Sequence, residues 1–136
     1  MPATVATIPP ELRDLVTTNV VGHVTLVMPS GRLITHVMWI DAVDGRLLTS
    51  SRVGSAKGHA WRVDPRVAIS VVDPADPWRW ISISGRVVEI RPDTDLAFID
   101  KLARRYMGHD YPMRDLAREV FVIEPERVRS APGGRR

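Results

Sequence analysis

The stretch LITHVMWIDAVDGRLLTSS, residues 33–51, decides how this chain reads. Asp44-Gly45 lies in a turn over Val43-Asp44-Gly45-Arg46, and Asp-Gly between apolar runs is a strong hairpin signal. The flanks, residues 33–41 and 47–51, read as strands, and so short a turn joins only antiparallel neighbours. Upstream, residues 20–28 are rich in branched side chains and end at the turn Pro29-Ser30-Gly31-Arg32. The three segments together read as an antiparallel meander.

Further downstream, residues 54–63 form a short helix that stops at Asp64-Pro65, because a residue before proline disfavours the α region. Residues 66–73 are a strand with Val67, Ile69 and Val71 on one face, and Pro74-Ala75-Asp76-Pro77 is an irregular loop. Residues 78–91 make a long strand, with Ile81 and Ile83 on one face and Ser82 and Ser84 on the other. Gly85 interrupts it, as a bulge or barrel corner would, and Val87-Val88 is apolar on both faces. The clearest helix spans residues 93–107, where Leu96, Ile99, Leu102, Ala103 and Tyr106 follow the 3.6-residue period before Gly108. A last strand, residues 120–124, is apolar on both faces. Pro9-Pro10 opens a short N-terminal helix reaching about Thr18.

Six strands, short turns and three helices predict a mainly β fold: one domain over residues 1–136, a six-stranded antiparallel barrel with peripheral helices. Strands apolar on both faces need cover on both. A domain this small finds the second cover most readily in another copy of itself, which predicts a homodimer.

Composition narrows the function. The chain has no cysteine, which removes disulfides, thiolate metal sites and cysteine catalysis and fits the cytoplasm. No apolar run approaches the roughly 18 to 20 residues needed to span a bilayer, and residues 1–11 lack the basic start and apolar stretch of a signal peptide. The net charge of +3 is carried mostly by arginine, with Lys57 and Lys101 as the lysines. Arginines are interleaved with acids along the chain, and Arg135-Arg136 after Gly133-Gly134 forms a short like-charge tail. A concentrated nucleic-acid stripe is therefore not expected.

Two stretches carry candidate chemistry. In Thr49-Ser50-Ser51-Arg52-Val53-Gly54-Ser55-Ala56-Lys57 a strand ends in hydroxyls and a helix begins with a lysine. This is either an anion cradle or a helix capped by Ser51 or Ser55 with solvated cations. Pro77-Trp78-Arg79-Trp80 places two indoles on one side of a strand, to flank a planar ring or to plug a barrel end or subunit seam. Trp39 by itself reads as core. His23, His36, His59 and His109 form no metal-ligand spacing, and His36 reads as a partly buried imidazole. No serine-elbow motif or paired-carboxylate motif is present, so an enzyme built on this chain needs a cofactor to supply reactivity.

The succession of residues 33–39, Asp44-Gly45-Arg46-Leu47-Leu48-Thr49-Ser50, Gly54-Ser55-Ala56-Lys57, Asp64-Pro65-Arg66-Val67 and Gly85-Arg86-Val87 resembles the pyridoxamine 5′-phosphate oxidase-like split-barrel superfamily. More narrowly it resembles the B group of flavin/deazaflavin oxidoreductases, over residues 15–128. The resemblance implies a dimer that holds coenzyme F-420, or alternatively FMN, in a groove between subunits and transfers a hydride to a small conjugated substrate. It implies that Val37, Met38 and Trp39 meet the ring system, and that Thr49, Ser50, Ser51, Ser55 and Lys57 hold the phosphate end. Trp78, with Arg79 beside it, would approach from the partner subunit. Two departures stand out: Ser55 where relatives often carry arginine, and Ala60-Trp61 where they often show Asn-Leu. These departures imply a phosphate contact that is either weaker or supplied by Arg52.

Overall fold

The computed structural model describes residues 6–131, and the basic tail of residues 133–136 lies outside them. The architecture is a curled antiparallel sheet with few helices, consistent with a split barrel. Its strands are β1 (Gly22–Val27), β2 (Leu33–Met38), β3 (Ile40–Val43), β4 (Arg46–Arg52), β5 (Arg66–Asp73), β6 (Asp76–Pro92) and β7 (Arg118–Ser130). The helices are α1 (Asp14–Thr17), α2 (Ala56–Val63) and α3 (Ala97–Tyr106).

There are seven strands rather than six, ordered β2-β1-β5-β6-β7-β4-β3. The extra strand arises because residues 33–41 do not run on as one strand. The chain breaks at Trp39, so that β2 pairs with β1 (Gly22 opposite Met38) and β3 pairs with β4 (Ile40 opposite Thr49). The two edge strands are thus consecutive in the chain and joined by one residue. That junction is the corner at which the barrel closes, and three hydrogen bonds hold it. Thr49 Oγ1 donates to the Trp39 carbonyl at 2.8 Å. The Tyr106 hydroxyl donates to the Val20 carbonyl at 2.6 Å and accepts from the Ile40 N–H at 3.3 Å.

Strict alternation fills the interior. Val67, Ile69 and Val71 of β5, Ile81 and Ile83 of β6, and Phe121 and Ile123 of β7 are buried together. Each such side chain contributes about 1.5 to 3 kcal/mol relative to exposure. Asp44 and Gly45 both have positive φ, 52° and 80°, and form the two-residue hairpin between β3 and β4. Gly85 marks a register shift against β7, where a Cβ would lie 2.0 Å from the Glu124 carbonyl oxygen. The expected four-residue loop at 74–77 is shorter, since Asp73 and Asp76 are already paired.

The helix expected over 93–107 begins later. Asp95 and Leu96 take left-handed φ values of 58° and 57°, and α3 starts at Ala97. Asp93 makes this possible: its carboxylate accepts from the Phe98 and Ile99 N–H groups at 2.8 and 2.9 Å, satisfying donors that the kink would orphan. At the other end Gly108 has φ of 87° and closes the helix by donating to the Ala103 and Arg104 carbonyls.

The last strand is also longer than residues 120–124, and its second apolar face is not left bare. Val120 and Val122 pack with Leu48 and Phe98 as a second cluster between the sheet and α3. The helix therefore supplies cover that the two-sided pattern assigned to another subunit.

Candidate functional site

The site follows from the two-residue period of β4 and its register with β7. Leu48, Ser50 and Arg52 share one face of β4 and stand opposite Val122, Val120 and Arg118. This face changes along its length from an apolar end under Phe98, through the Ser50 hydroxyl, to the cationic pair Arg52 and Arg118. A cleft of about 250 Å³ opens over its middle, lined by Val37, Met38, Trp39, Ser50, Ile99, Leu102, Tyr111 and Arg118.

One wall is aromatic. Trp39 lies parallel to Tyr106, with ring centroids 5.2 Å apart, and Tyr111 meets it edge-on at 6.3 Å. The Arg118 guanidinium sits 4.9 Å from the Tyr111 ring centroid and donates from Nε to Ser50 Oγ at 2.9 Å. Tyr111 belongs to the segment between α3 and β7. It is fixed there by its backbone N–H, which donates to Asp100 Oδ1 at 3.0 Å.

The polar end gathers three cations. Lys57, in the first turn of α2, has its ammonium held below the ordinary lysine value by partial burial and by the charges of Arg118 and Arg52. It lies within hydrogen-bond distance of His36 Nδ1, at 3.3 Å. Among the described residues no carboxylate forms an ion pair with Arg52, Lys57 or Arg118. Like charges gathered without compensation cost free energy, and an arriving anion would relieve that cost.

The expected site residues divide into groups. Val37, Met38, Trp39 and Ser50 come together as cleft lining. Lys57 lies beside them, within electrostatic reach of Arg118. Thr49 and Ser51 face the opposite side of β4, because three successive hydroxyls cannot share one face of a strand. Thr49 is fully buried and holds the Trp39 corner. Ser55 is the α2 N-cap, its hydroxyl accepting from the Gly58 N–H at 3.1 Å. Arg79 is bound to Asp14 and Asp73 and donates to the Glu11 carbonyl, tying α1 to the β5–β6 hairpin. Trp78 is 53% exposed at the start of β6, outside the cleft lining. His36 is exposed rather than partly buried, because it lies on an edge strand. Trp61 is a core residue packed on Phe121.

Arg118, Tyr111 and Tyr106 belong to the site and were not singled out from the sequence. The available signal was register: once β4 and β7 are paired, Arg118 falls opposite Arg52.

The fold is that of a split-barrel protein with a cleft beside the corner at Trp39. The chain belongs to the pyridoxamine 5′-phosphate oxidase family, whose model matches residues 8–131. Among solved structures it is similar to an F-420 reductase, with TM-score 0.82 and 29% identity over 90% of this chain and 98% of that one. It also resembles a conserved hypothetical protein from Mycobacterium tuberculosis (TM-score 0.70, 23% identity, 95% and 87% covered). General Stress Protein 26 from Bacillus anthracis is a further neighbour (TM-score 0.66, 16% identity, 87% and 89% covered). The last two bear on the fold alone. No curated protein matches the chain significantly.

Proposed function

We propose that this protein is an oxidoreductase that transfers a hydride between reduced coenzyme F-420 and a small conjugated organic substrate, as a cytoplasmic homodimer. The observation that carries this reading is the uncompensated group Arg52, Lys57 and Arg118 at the polar end of an aromatic-walled cleft. A phosphorylated planar cofactor needs both features at once. The similarity to an F-420 reductase favours the deazaflavin over FMN, which has the same two requirements.

The residues present fit such a group. Lys57 and Arg52 would hold the phosphate, with charge-assisted contacts worth about 1.5 to 3 kcal/mol each. The Val37-Met38-Trp39 corner would meet the ring edge, and the Trp39 indole would limit where the ring can lie. When bound, the deazaflavin supplies a hydride from ring carbon 5. Ile99 and Leu102 keep the inner wall apolar and help exclude water, while the corner bonds from Thr49 and Tyr106 keep Trp39 in place. The protein thus contributes orientation and electrostatics.

The cleft of about 250 Å³ is smaller than the roughly 300 to 1,000 Å³ of typical ligand sites, which supports a groove completed by a second subunit. Trp78 is the residue such a subunit would bring. Among the described residues no helix is long and apolar enough to cross a membrane.

The test is turnover. Protein mixed with chemically reduced F-420 and a panel of quinones and enones should restore the oxidised-cofactor absorbance faster than the protein-free control. Binding of cofactor without any turnover across the panel would instead make the protein a carrier or sensor.

A further inference from the structure

Arg118 differs from two nearby arginines, Arg62 and Arg114. Arg62 and Arg114 are each engaged by a buried carboxylate, Glu119 and Asp100 respectively. Both acids are thereby already committed. Glu119, next to Arg118 in the chain, turns to the other face of β7 and binds Arg62. Arg118 is instead held by neutral groups: Ser50 Oγ at 2.9 Å, the Tyr111 hydroxyl at 3.5 Å, and the Tyr111 ring face. A guanidinium has five N–H donors, and these contacts use two of them, leaving three with no acceptor among the described residues.

The support beneath it is also braced. Asp100 accepts from the Tyr111 N–H and from both terminal nitrogens of Arg114, at 2.8 to 3.0 Å. Tyr111 is therefore set before any ligand arrives, and a cation resting on it loses little freedom on binding. A planar cation resting on an aromatic ring in the cleft lining, with donors to spare, is suited to bidentate recognition of an oxyanion.

We propose that Arg118 is a ligand-anchoring residue that receives an oxyanion borne by the planar molecule occupying this cleft. The inference rests on the cofactor reading above and adds a recognition element to it. The oxyanion is either the phosphate of the cofactor or a carboxylate on the substrate. The chemistry is shared, and the experiment separates the two sources.

Dissociation constants are measured for two matched pairs, each an acid and its neutral analogue. FMN and riboflavin are titrated into the protein, and naphthoate and naphthamide into the FMN-loaded protein, for wild type, Arg118→Gln and Arg118→Lys. Arg118→Gln should weaken one of the two acids by about ten-fold or more while leaving its neutral analogue within about two-fold. Arg118→Lys should recover part of that loss. Selective loss of FMN assigns the phosphate, and selective loss of naphthoate assigns a substrate acid. Binding of the neutral analogue also reports that the variant is folded. Equal losses for acid and neutral partner, or no loss in either pair, would overturn the proposal. Where wild type binds F-420 but not FMN, F-420 and its phosphate-free deazariboflavin form the first pair and F-420 loads the protein for the second. Wild-type protein that binds none of these would contradict the proposed function itself, a result distinguishable from intact binding without acid selectivity.

Discussion

At the scale of single residues, Lys57 carries the most direct consequence. Partial burial and the charges of Arg118 and Arg52 hold its ammonium below the ordinary value of 10.5. A lysine shifted this way destabilises the fold while it is charged, and the penalty is relieved as pH rises toward the unfolded value. Lys57→Ala should therefore leave the melting temperature unchanged or slightly raised. The same change should weaken cofactor binding by roughly 10- to 100-fold, the equivalent of a charge-assisted contact of about 1.5 to 3 kcal/mol. An anion on Lys57 reverses the shift, so binding should take up protons in the alkaline range. Calorimetry across the alkaline range below the ordinary lysine value, in two buffers of different ionisation heat at each pH, should show uptake for wild type and none for Lys57→Ala. Loss of stability together with unchanged affinity would make Lys57 structural. Gly85 is the second residue whose role is fixed by geometry. A methyl group there meets the Glu124 carbonyl oxygen at 2.0 Å, so Gly85→Ala should cost more than about 3 kcal/mol in chemical denaturation. That glycine was legible in the sequence as a break in an alternating strand. Arg118 was not, because nothing in its neighbours announces it before β7 is laid beside β4.

Among the elements, α3 is docked by charge as well as by apolar packing. Asp41 of β3 is 1% exposed, with Lys101 Nζ at 2.8 Å and Arg105 Nη1 at 2.9 Å. Burial pushes its carboxyl up, but the two cations outweigh this and its net pKa lies below the usual 3.8. Stability from a depressed carboxylate is fully present above its unfolded value and lost as pH falls through the folded one. Asp41→Asn should therefore lower stability near neutral pH by about 1 to 3 kcal/mol, with the difference from wild type shrinking in melts below about pH 4. A constant difference across that range would locate the effect in packing. Much of the element order was readable: the Asp44-Gly45 hairpin, the inward Val67, Ile69 and Val71, and the stop at Gly108. Three features were not. The break at Trp39 depends on which strand each half finds as a partner. The late start of α3 depends on Asp93 accepting two N–H groups across the kink. The separation of Thr49 and Ser51 from Ser50 follows from pleat alone, but only once those residues are known to lie inside a strand.

For the whole molecule, the open questions are what completes the cleft and what occupies it. Leu33 and Val37 on the β2 edge are 67% and 63% exposed, and Val37 also lines the cleft. Apolar exposure continuous with a binding site is suited to burial against a second copy. Light scattering at micromolar protein should give twice the chain mass, and Val37→Glu should lower both that mass and cofactor affinity. A monomer at every concentration that still binds cofactor would place the complete site within one chain. The family and fold follow from the matched sequence and the structural neighbours, whereas the cofactor depends on a cluster of charge and aromatic surface. Titration of the purified protein with F-420 and FMN side by side, following ring fluorescence, tests that cluster most directly. Saturable binding of both is the predicted result, with F-420 the tighter and each weakened by Lys57→Ala. Equal or tighter FMN binding would reverse the choice of cofactor, and no saturable binding of either would contradict the account.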